Sequence, residues 1–300
     1  MKIPLQKIFD PAISSSGVNL FVLRLDLTHQ HISGNKWYKL KYNMEEVKRQ
    51  KADTVLTFGG AYYNHIAATA AAGKEFGFKT IGVIRGDEAK ELNATLELAQ
   101  SCGMKLHFVS RAEYRKKHTP EFLNTLTEKF GKVFILPEGG SNEFGVKGCM
   151  EIVNEINIPF DVICCACGTG ATIAGIVLSL KEKQQAIGFS ILHAPGYIES
   201  EIKKWLIHFQ SNNFSKFTVN EDYDFGKYAK HTPELLGFIE RFEKQNNIPL
   251  DHVYTGKMMF GIYDLIRKGY FKKNKTIIAV HTGGLQGKLS PLQLLLQGRD

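Results

Sequence analysis

The chain has no run approaching the roughly 20 apolar residues that a membrane span requires, and its first ten residues, "MKIPLQKIFD", lack the apolar core of a secretory signal. Both absences point to a cytoplasmic protein with no membrane contact. A dense basic tract is missing too. The 38 lysines and arginines outnumber the 30 acidic residues, for a net charge of +8, but they are scattered through solvated stretches such as "EEVKRQK" and "FEKQNN". That scatter argues against a nucleic-acid partner.

Cysteine is sparse, and its number is odd. Five thiols in 300 residues fit a reducing compartment rather than a disulfide framework. Three of them, Cys164, Cys165 and Cys167, crowd into the apolar run "VICCACG" with no second Cys or His pair at zinc spacing, which reads as buried structural thiols. His29 and His31 in "HQH" stand in a polar loop and read as solvated, so no metal is expected. Neither G-x-S-x-G nor H-E-x-x-H occurs. No fixed-period repeat or low-complexity linker divides the chain, and hydrophobic residues at 43% with charged ones at 23% are those of a globular protein.

What is present is an alternation. From Thr54 onward, strand-length apolar segments ("TVLTF", "KTIGVIRG", "MKLHFV", "VFILPEGG", "FDVICCACG", "IGFSILHA") take turns with helix-period segments such as "HIAATAAAGKEFG" and "ELNATLELAQSCG". This predicts βαβ units, an α/β fold and largely parallel sheets. Near-continuous apolar strands agree, because parallel strands are buried on both faces. Gly77, Gly103 and Gly131 stand where helices should stop. Residues from about Ile198 to Gln245 read as less regular, a passage of loops of the kind that often carries part of a site.

In such folds ligands sit at the carboxyl ends of strands. Two turns there stand out, "GGAYYNH" (Gly59 to His65) and "CGTGATIAG" (Cys167 to Gly175). The second follows a buried strand and opens a helix, an arrangement that offers backbone N–H groups to a phosphate; a plain tight turn with a closely packed helix is the competing reading. It is no Walker loop, since no Gly-Lys-Ser/Thr follows, and Ile173 fills the place of the third glycine of a dinucleotide fingerprint. The segment "SGNKWYKLKYN" (Ser33 to Asn43) sets Lys36, Lys39 and Lys41 among aromatics. Most such lysines are surface charges, but a sheltered one loses its proton and becomes an imine-forming nucleophile. Lysine, phosphate turn and polar turn together suit pyridoxal phosphate.

At these residues the sequence resembles the 1-aminocyclopropane-1-carboxylate deaminase and D-cysteine desulfhydrase group of pyridoxal-phosphate enzymes, which share the fold of the tryptophan synthase β-subunit. "GNKWYKLKYN" resembles the cofactor-lysine segment, "GGAYYNH" the G-G-x-x-S-N-H/Q turn, "GTGAT" the phosphate loop and "VYTGKMMFG" a tyrosine-bearing segment of the active site, in matching order over nearly the whole chain. The resemblance implies that Lys36 forms the imine with the cofactor and that Asn64 meets its 3′ oxygen, Asn64 also reading as a helix N-cap. Gly168, Thr169, Gly170, Ala171 and Thr172 would hold the phosphate. Tyr254 and Tyr228 would face the substrate, with Tyr63 and His65 beside it, and Thr255 would meet the ring nitrogen, with His281 and Thr282 of "AVHTGGLQG" near it.

Two departures bear on the substrate. Tyr63 stands where the group has serine. Thr255 follows the tyrosine where the deaminases resemble one another in having glutamate, and a neutral hydroxyl there favours elimination of a good leaving group. The resemblance therefore implies β-elimination from D-cysteine or a similar D-amino acid to pyruvate, ammonia and sulfide, with cyclopropane deamination to 2-oxobutyrate, or cofactor binding with a substrate altered by Tyr63, as alternatives. It also implies a homodimer, and two three-layer α/β domains, the smaller spanning residues 39–147 and the larger 1–38 with 148–300.

Overall fold

The computed structural model describes residues 2–87 and 91–285. The end of the expected 148–300 segment, including Gln286 and Gly287 of "AVHTGGLQG", lies outside the described residues.

The chain opens with β1 (Leu5–Lys7), α1 (Pro11–Ser16) and β2 (Asn19–Leu23), and α2 (Asn35–Arg49) then carries it into the predicted alternation. There follow β3 (Thr54–Gly60), α3 (Asn64–Phe76), β4 (Lys79–Arg85), α4 (Ala94–Ser101) and β5 (Lys105–Val109), then α5 (Arg111–Tyr114), α6 (Pro120–Phe130) and β6 (Phe134–Leu136). These four strands form one sheet in the order β5-β4-β3-β6, parallel throughout. Every residue of β3 is buried, as expected of a strand covered on both faces. Gly77 and Gly131 end α3 and α6 with φ of +77° each, a backbone that glycine adopts without a Cβ clash.

Helix α7 (Glu143–Cys149) leads back to β7 (Val162–Cys167), α8 (Ala171–Leu178), β8 (Gln185–Ser190), α9 (Tyr197–His208) and β9 (Phe217–Asn220). The described chain closes with α10 (Pro233–Asn246), α11 (Thr255–Arg267) and β10 (Thr276–Val280). This sheet runs β1-β2-β10-β7-β8-β9; only the β1–β2 pair is antiparallel. Its two faces carry separate cores, one under α11 and α10 with Leu20, Phe189 and Ile262, the other under α8 and α9 with Ile163, Ile176 and Ile202. Cys164, Cys165 and Cys167 lie buried in β7 as free thiols. No helix among the described residues is long and apolar enough to cross a membrane.

One expectation is corrected. The passage from Ile198 to Gln245 contains two full helices, α9 and α10, and is irregular mainly between them. The signal was there: Ile198, Ile202 and Leu206 recur at four-residue steps and are buried, as are Leu235, Ile239 and Phe242. Flanking polar residues diluted that period without abolishing it.

The two sheets are joined through α2 and α7. A β carbon on Gly148 would lie 1.9 Å from the Tyr38 carbonyl oxygen, so the two backbones touch. Gly148→Ala therefore forces the helices apart and should lower the melting temperature by several degrees, overpacking of this kind costing about 1–3 kcal/mol. Gly237→Ala in α10, where the added carbon meets only the mobile Arg241 guanidinium, should be neutral or stabilising by roughly 0.5–1 kcal/mol. Thermal unfolding of both variants checks the contrast; equal melting temperatures would contradict it.

Candidate active site

The carboxyl ends of β3, β7, β8 and β10 and the turn after β6 surround one cavity of about 340 Å³. Its size suits a small molecule, and strand ends are where parallel sheets hold ligands. Residues following strands of both sheets line it.

The start of α2 enters this cavity because Gly34 lets it. Gly34 has φ of +71°, and a β carbon there would lie 1.9 Å from the Thr282 carbonyl oxygen. The close approach to the end of β10 delivers Asn35, Lys36 and, one turn on, Lys39 to the wall. Among the described residues the Lys36 ammonium has one hydrogen-bond partner, the Asn35 side-chain oxygen at 3.3 Å; the Asn35 amide donates in turn to Thr172 at 2.8 Å. Burial pushes the Lys36 amine down to about 7, and the neighbouring Lys39 charge adds to the effect. Burial lowers Lys39 as well, yet Lys39 has partners, donating to the Gly139 carbonyl at 2.9 Å and to the Thr169 hydroxyl at 3.4 Å. No motif assigns Lys39 a role in the sequence; its spacing of three from Lys36, on one helix face, is the signal that it shares the site.

Gly168, Thr169 and Gly170 carry the chain from β7 into α8 beside Lys39. Helix caps divide by location. The helices α1, α4, α6, α7 and α10 are capped at their N-termini by Asp10, Asn93, Thr119, Asn142 and Thr232. Those whose starts border the cavity, α2, α3, α8 and α9, have no side-chain cap. Uncapped N-termini leave N–H groups and the positive helix end free for an anion. At α8 the N-cap is Gly170, with φ of +78°, and Thr172 lines the cavity while Ala171 is fully buried behind it. Cradle and lysine together suit a phosphate.

Asn64 is placed differently from its N-cap reading: Tyr63 is the N-cap of α3 and Asn64 its first helical residue. Among the described residues the Asn64 amide has no hydrogen-bond partner, and its nitrogen would lie 2.3 Å from a β carbon on Gly284. It is therefore available to a ligand at the cavity wall. His65 is almost wholly buried, its Nε2 2.8 Å from the Thr57 hydroxyl, which donates to the Leu136 carbonyl. Nε2 is thus the protonated nitrogen, Nδ1 is a buried acceptor without a partner among the described residues, and burial with Lys36 and Lys39 nearby holds the ring neutral.

Three tyrosines, Tyr63, Tyr228 and Tyr254, form one wall. The rings of Tyr63 and Tyr228 are 5.6 Å apart, and Tyr228 meets Tyr254 edge-on at 6.1 Å with 3.4 Å between their hydroxyls. Burial pushes Tyr228 up to about 12 and Tyr254 further, so both phenols keep their protons at neutral pH. Tyr63 packs over Gly60, with the Arg85 guanidinium 5.6 Å from its ring centroid.

Thr255 corrects its expected role. It is fully buried, does not line the cavity, and spends its hydroxyl on Asp251, donating to Oδ2 at 2.6 Å and accepting from the Asp251 N–H at 3.0 Å. The Asp251 carboxylate also accepts from the Val253, Tyr254 and Thr255 N–H groups, and so caps α11 and fixes Tyr254. After β10, Thr282 lines the cavity, whereas His281 turns away to the Pro249 carbonyl at 2.6 Å. Glu138 lines the cavity too, with no sequence signal to announce it, and is held by the Tyr114 hydroxyl and by Lys117. Remote from the cavity, His29 stacks on Trp37 and accepts from the His31 and Ile32 N–H groups.

The family model described as pyridoxal-phosphate dependent enzyme matches residues 3–283. A bifunctional D-cysteine desulfhydrase/1-aminocyclopropane-1-carboxylate deaminase of Arabidopsis thaliana is 34% identical over 297 residues, covering 91% of this chain and 74% of that protein. A Pyrococcus horikoshii protein named as a 1-aminocyclopropane-1-carboxylate deaminase is 31% identical over 281 residues, covering 90% of this chain and 86% of its own. The crystal structure of an ACC deaminase homologue superposes with a TM-score of 0.85 at 29% identity, covering 99% of this chain and 94% of that one. A buried lysine, an uncapped helix start and likeness along nearly the whole length agree: the chain belongs to the pyridoxal-phosphate dependent enzymes.

Proposed function

We propose that the protein is a lyase that removes the β-substituent of a small amino acid, foremost D-cysteine. D-cysteine and one water give pyruvate, ammonia and hydrogen sulfide. Lys36 would carry the cofactor; Gly168, Thr169, Gly170, Ala171 and Thr172, with Lys39, would hold its phosphate; Asn64 would meet the 3′ oxygen and Thr282 the ring nitrogen. When bound, pyridoxal phosphate supplies a carbonyl that captures the substrate amine and an electron-poor ring that takes up the pair left at Cα.

The rest is side-chain chemistry. Lys36, neutral above about pH 7, accepts the Cα proton. Tyr254, protonated by virtue of its burial and fixed by the Asp251 cap, donates a proton to the departing sulfur. Tyr228 and Tyr63 close the cavity over the substrate. The observation that carries the choice of elimination is the neutral wall. Among the described residues lining the cavity Glu138 is the sole carboxylate, and it is bound to Lys117 and Tyr114, so no carboxylate is free to hold a proton on the ring nitrogen. A weak electron sink suits a good leaving group better than it suits opening a cyclopropane. Deamination of 1-aminocyclopropane-1-carboxylate is the second reading, favoured by the names of the relatives. Division into a unit of residues 39–147 and a unit of the rest, a homodimer, and a cytoplasmic setting complete the proposal.

The native enzyme should release pyruvate from D-cysteine, and Lys36→Ala should release none. Tyr63→Ser removes one aromatic contact, worth about 0.5–1.5 kcal/mol, and should raise KM roughly 2- to 10-fold with kcat little changed. A gain in kcat/KM would show instead that Tyr63 blocks D-cysteine.

Uptake of the cofactor should depend on pH through Lys36. Its proton leaves near pH 7 rather than near 10.5, and only the neutral amine captures an aldehyde. The rate at which cofactor-free protein takes up pyridoxal phosphate should therefore fall about tenfold per pH unit below 7 and level off above it. Stopped-flow absorbance measures this; a rate still climbing between about pH 9 and 10 would contradict it.

A further inference from the structure

Helix α11 carries a second buried lysine that the chemistry above leaves unused. Lys257 is fully buried, two residues beyond Thr255. Its ammonium donates to two backbone carbonyls, Asp224 at 2.7 Å and Lys227 at 3.1 Å, and sits 5.8 Å from the centroid of the Phe225 ring. Both carbonyls belong to the loop between β9 and α10, which carries Tyr228.

Phe225 and Ala229 have φ of +54° and +61°, and Gly226 has +89°. Left-handed backbone at two non-glycine residues costs free energy and persists only where the surroundings enforce it. Two of the anchors that enforce it lie on α11. Tyr223 at the head of the loop donates to Asp264 at 2.7 Å, and Lys257 gathers the carbonyls at its centre. Within the loop the Asp224 carboxylate accepts from the Gly226 N–H at 2.6 Å and lies 2.7 Å from His193.

We infer that Lys257 is a positioning residue for the substrate-facing wall: by binding the Asp224 and Lys227 carbonyls it aims Tyr228 at Tyr63 and Tyr254. Burial lowers the Lys257 amine to about 8, with Asp224 and Asp251 opposing, so it is a cation at neutral pH. A charged donor to a carbonyl is among the stronger hydrogen bonds a fold can make. One helix thereby sets both phenols, Tyr254 through the Asp251 cap and Tyr228 through Lys257. The inference rests on the reading of Tyr228 as a substrate contact.

The test uses the cofactor-loaded full chain. Hydrogen exchange comes first, since it needs no substrate. Lys257→Met should speed amide exchange in residues 221–230 by about tenfold or more, the worth of a charged hydrogen bond, and leave the 168–178 segment and the cofactor absorbance unchanged. Gly226→Ala strains the same loop without filling a void, there being no atom within 4 Å of its added carbon, and should act alike even if Lys257→Met folds poorly. Kinetics then separates the two readings. With D-cysteine, Lys257→Met and Tyr228→Phe should each raise KM, and the double variant should be no worse than the worse single one, because the first acts through the second. Unchanged exchange in 221–230, or additive kinetic losses, overturns the positioning role. Accelerated exchange with no turnover of D-cysteine by native protein leaves that role standing and overturns the substrate assignment.

Discussion

Two lysines share one buried site, and much of the cavity answers the cost of taking their charges out of water. Desolvating an ammonium is expensive, and a second one beside it is more so. Lys39 meets that cost with a carbonyl and a hydroxyl. Lys36, whose one hydrogen-bond partner among the described residues is the Asn35 oxygen, meets it by giving up its proton near neutrality. A site that sets a hydrogen-bonded lysine beside an amine that sheds its proton near neutrality, and adds an uncapped helix start at Gly170, is a place for an anion joined to a carbonyl. Pyridoxal phosphate is that molecule, and the absence of a side-chain cap on α8 reflects the same demand, because a capping side chain would occupy the N–H groups that the ligand requires.

The same cavity has a tyrosine wall whose order comes from α11. Its start is capped by Asp251, which accepts three backbone N–H groups and the Thr255 hydroxyl; its next turn sends Lys257 into the loop before Tyr228. "DHVYTGK" is therefore a support for two phenols as much as a source of one. Burial raises both phenols, so each keeps its proton and remains a hydrogen-bond donor at neutral pH. The two sides of the cavity have opposite protonation tendencies for one reason, desolvation, which disfavours whichever form is charged.

Much of this was legible in the sequence, because the features involved are local. Near-continuous apolar runs of strand length marked the strands from Thr54 on and 3.6-residue periodicity the helices between them, and the glycines that stop α3 and α6 fell where the pattern ended. Lys36, Thr172, Tyr228, Tyr254 and Thr282 do meet at one cavity. What sequence reasoning missed was long-range or orientational. Thr255 is adjacent to a cavity residue, but helix geometry turns its hydroxyl to Asp251, four residues back. Glu138 and Tyr197 reach the wall from distant elements with no motif around them. Helices α9 and α10 went unread because their apolar stripes are narrow, three buried residues apiece.

The most direct test of the central claim is to reduce the cofactor-loaded protein with borohydride, digest it and find by mass spectrometry which lysine bears the pyridoxyl group. The expected result is a single modified peptide with the group on Lys36, the neutral amine. Modification of Lys39 or Lys257 instead, or none at all, would contradict the assignment of Lys36 as the residue that binds the cofactor.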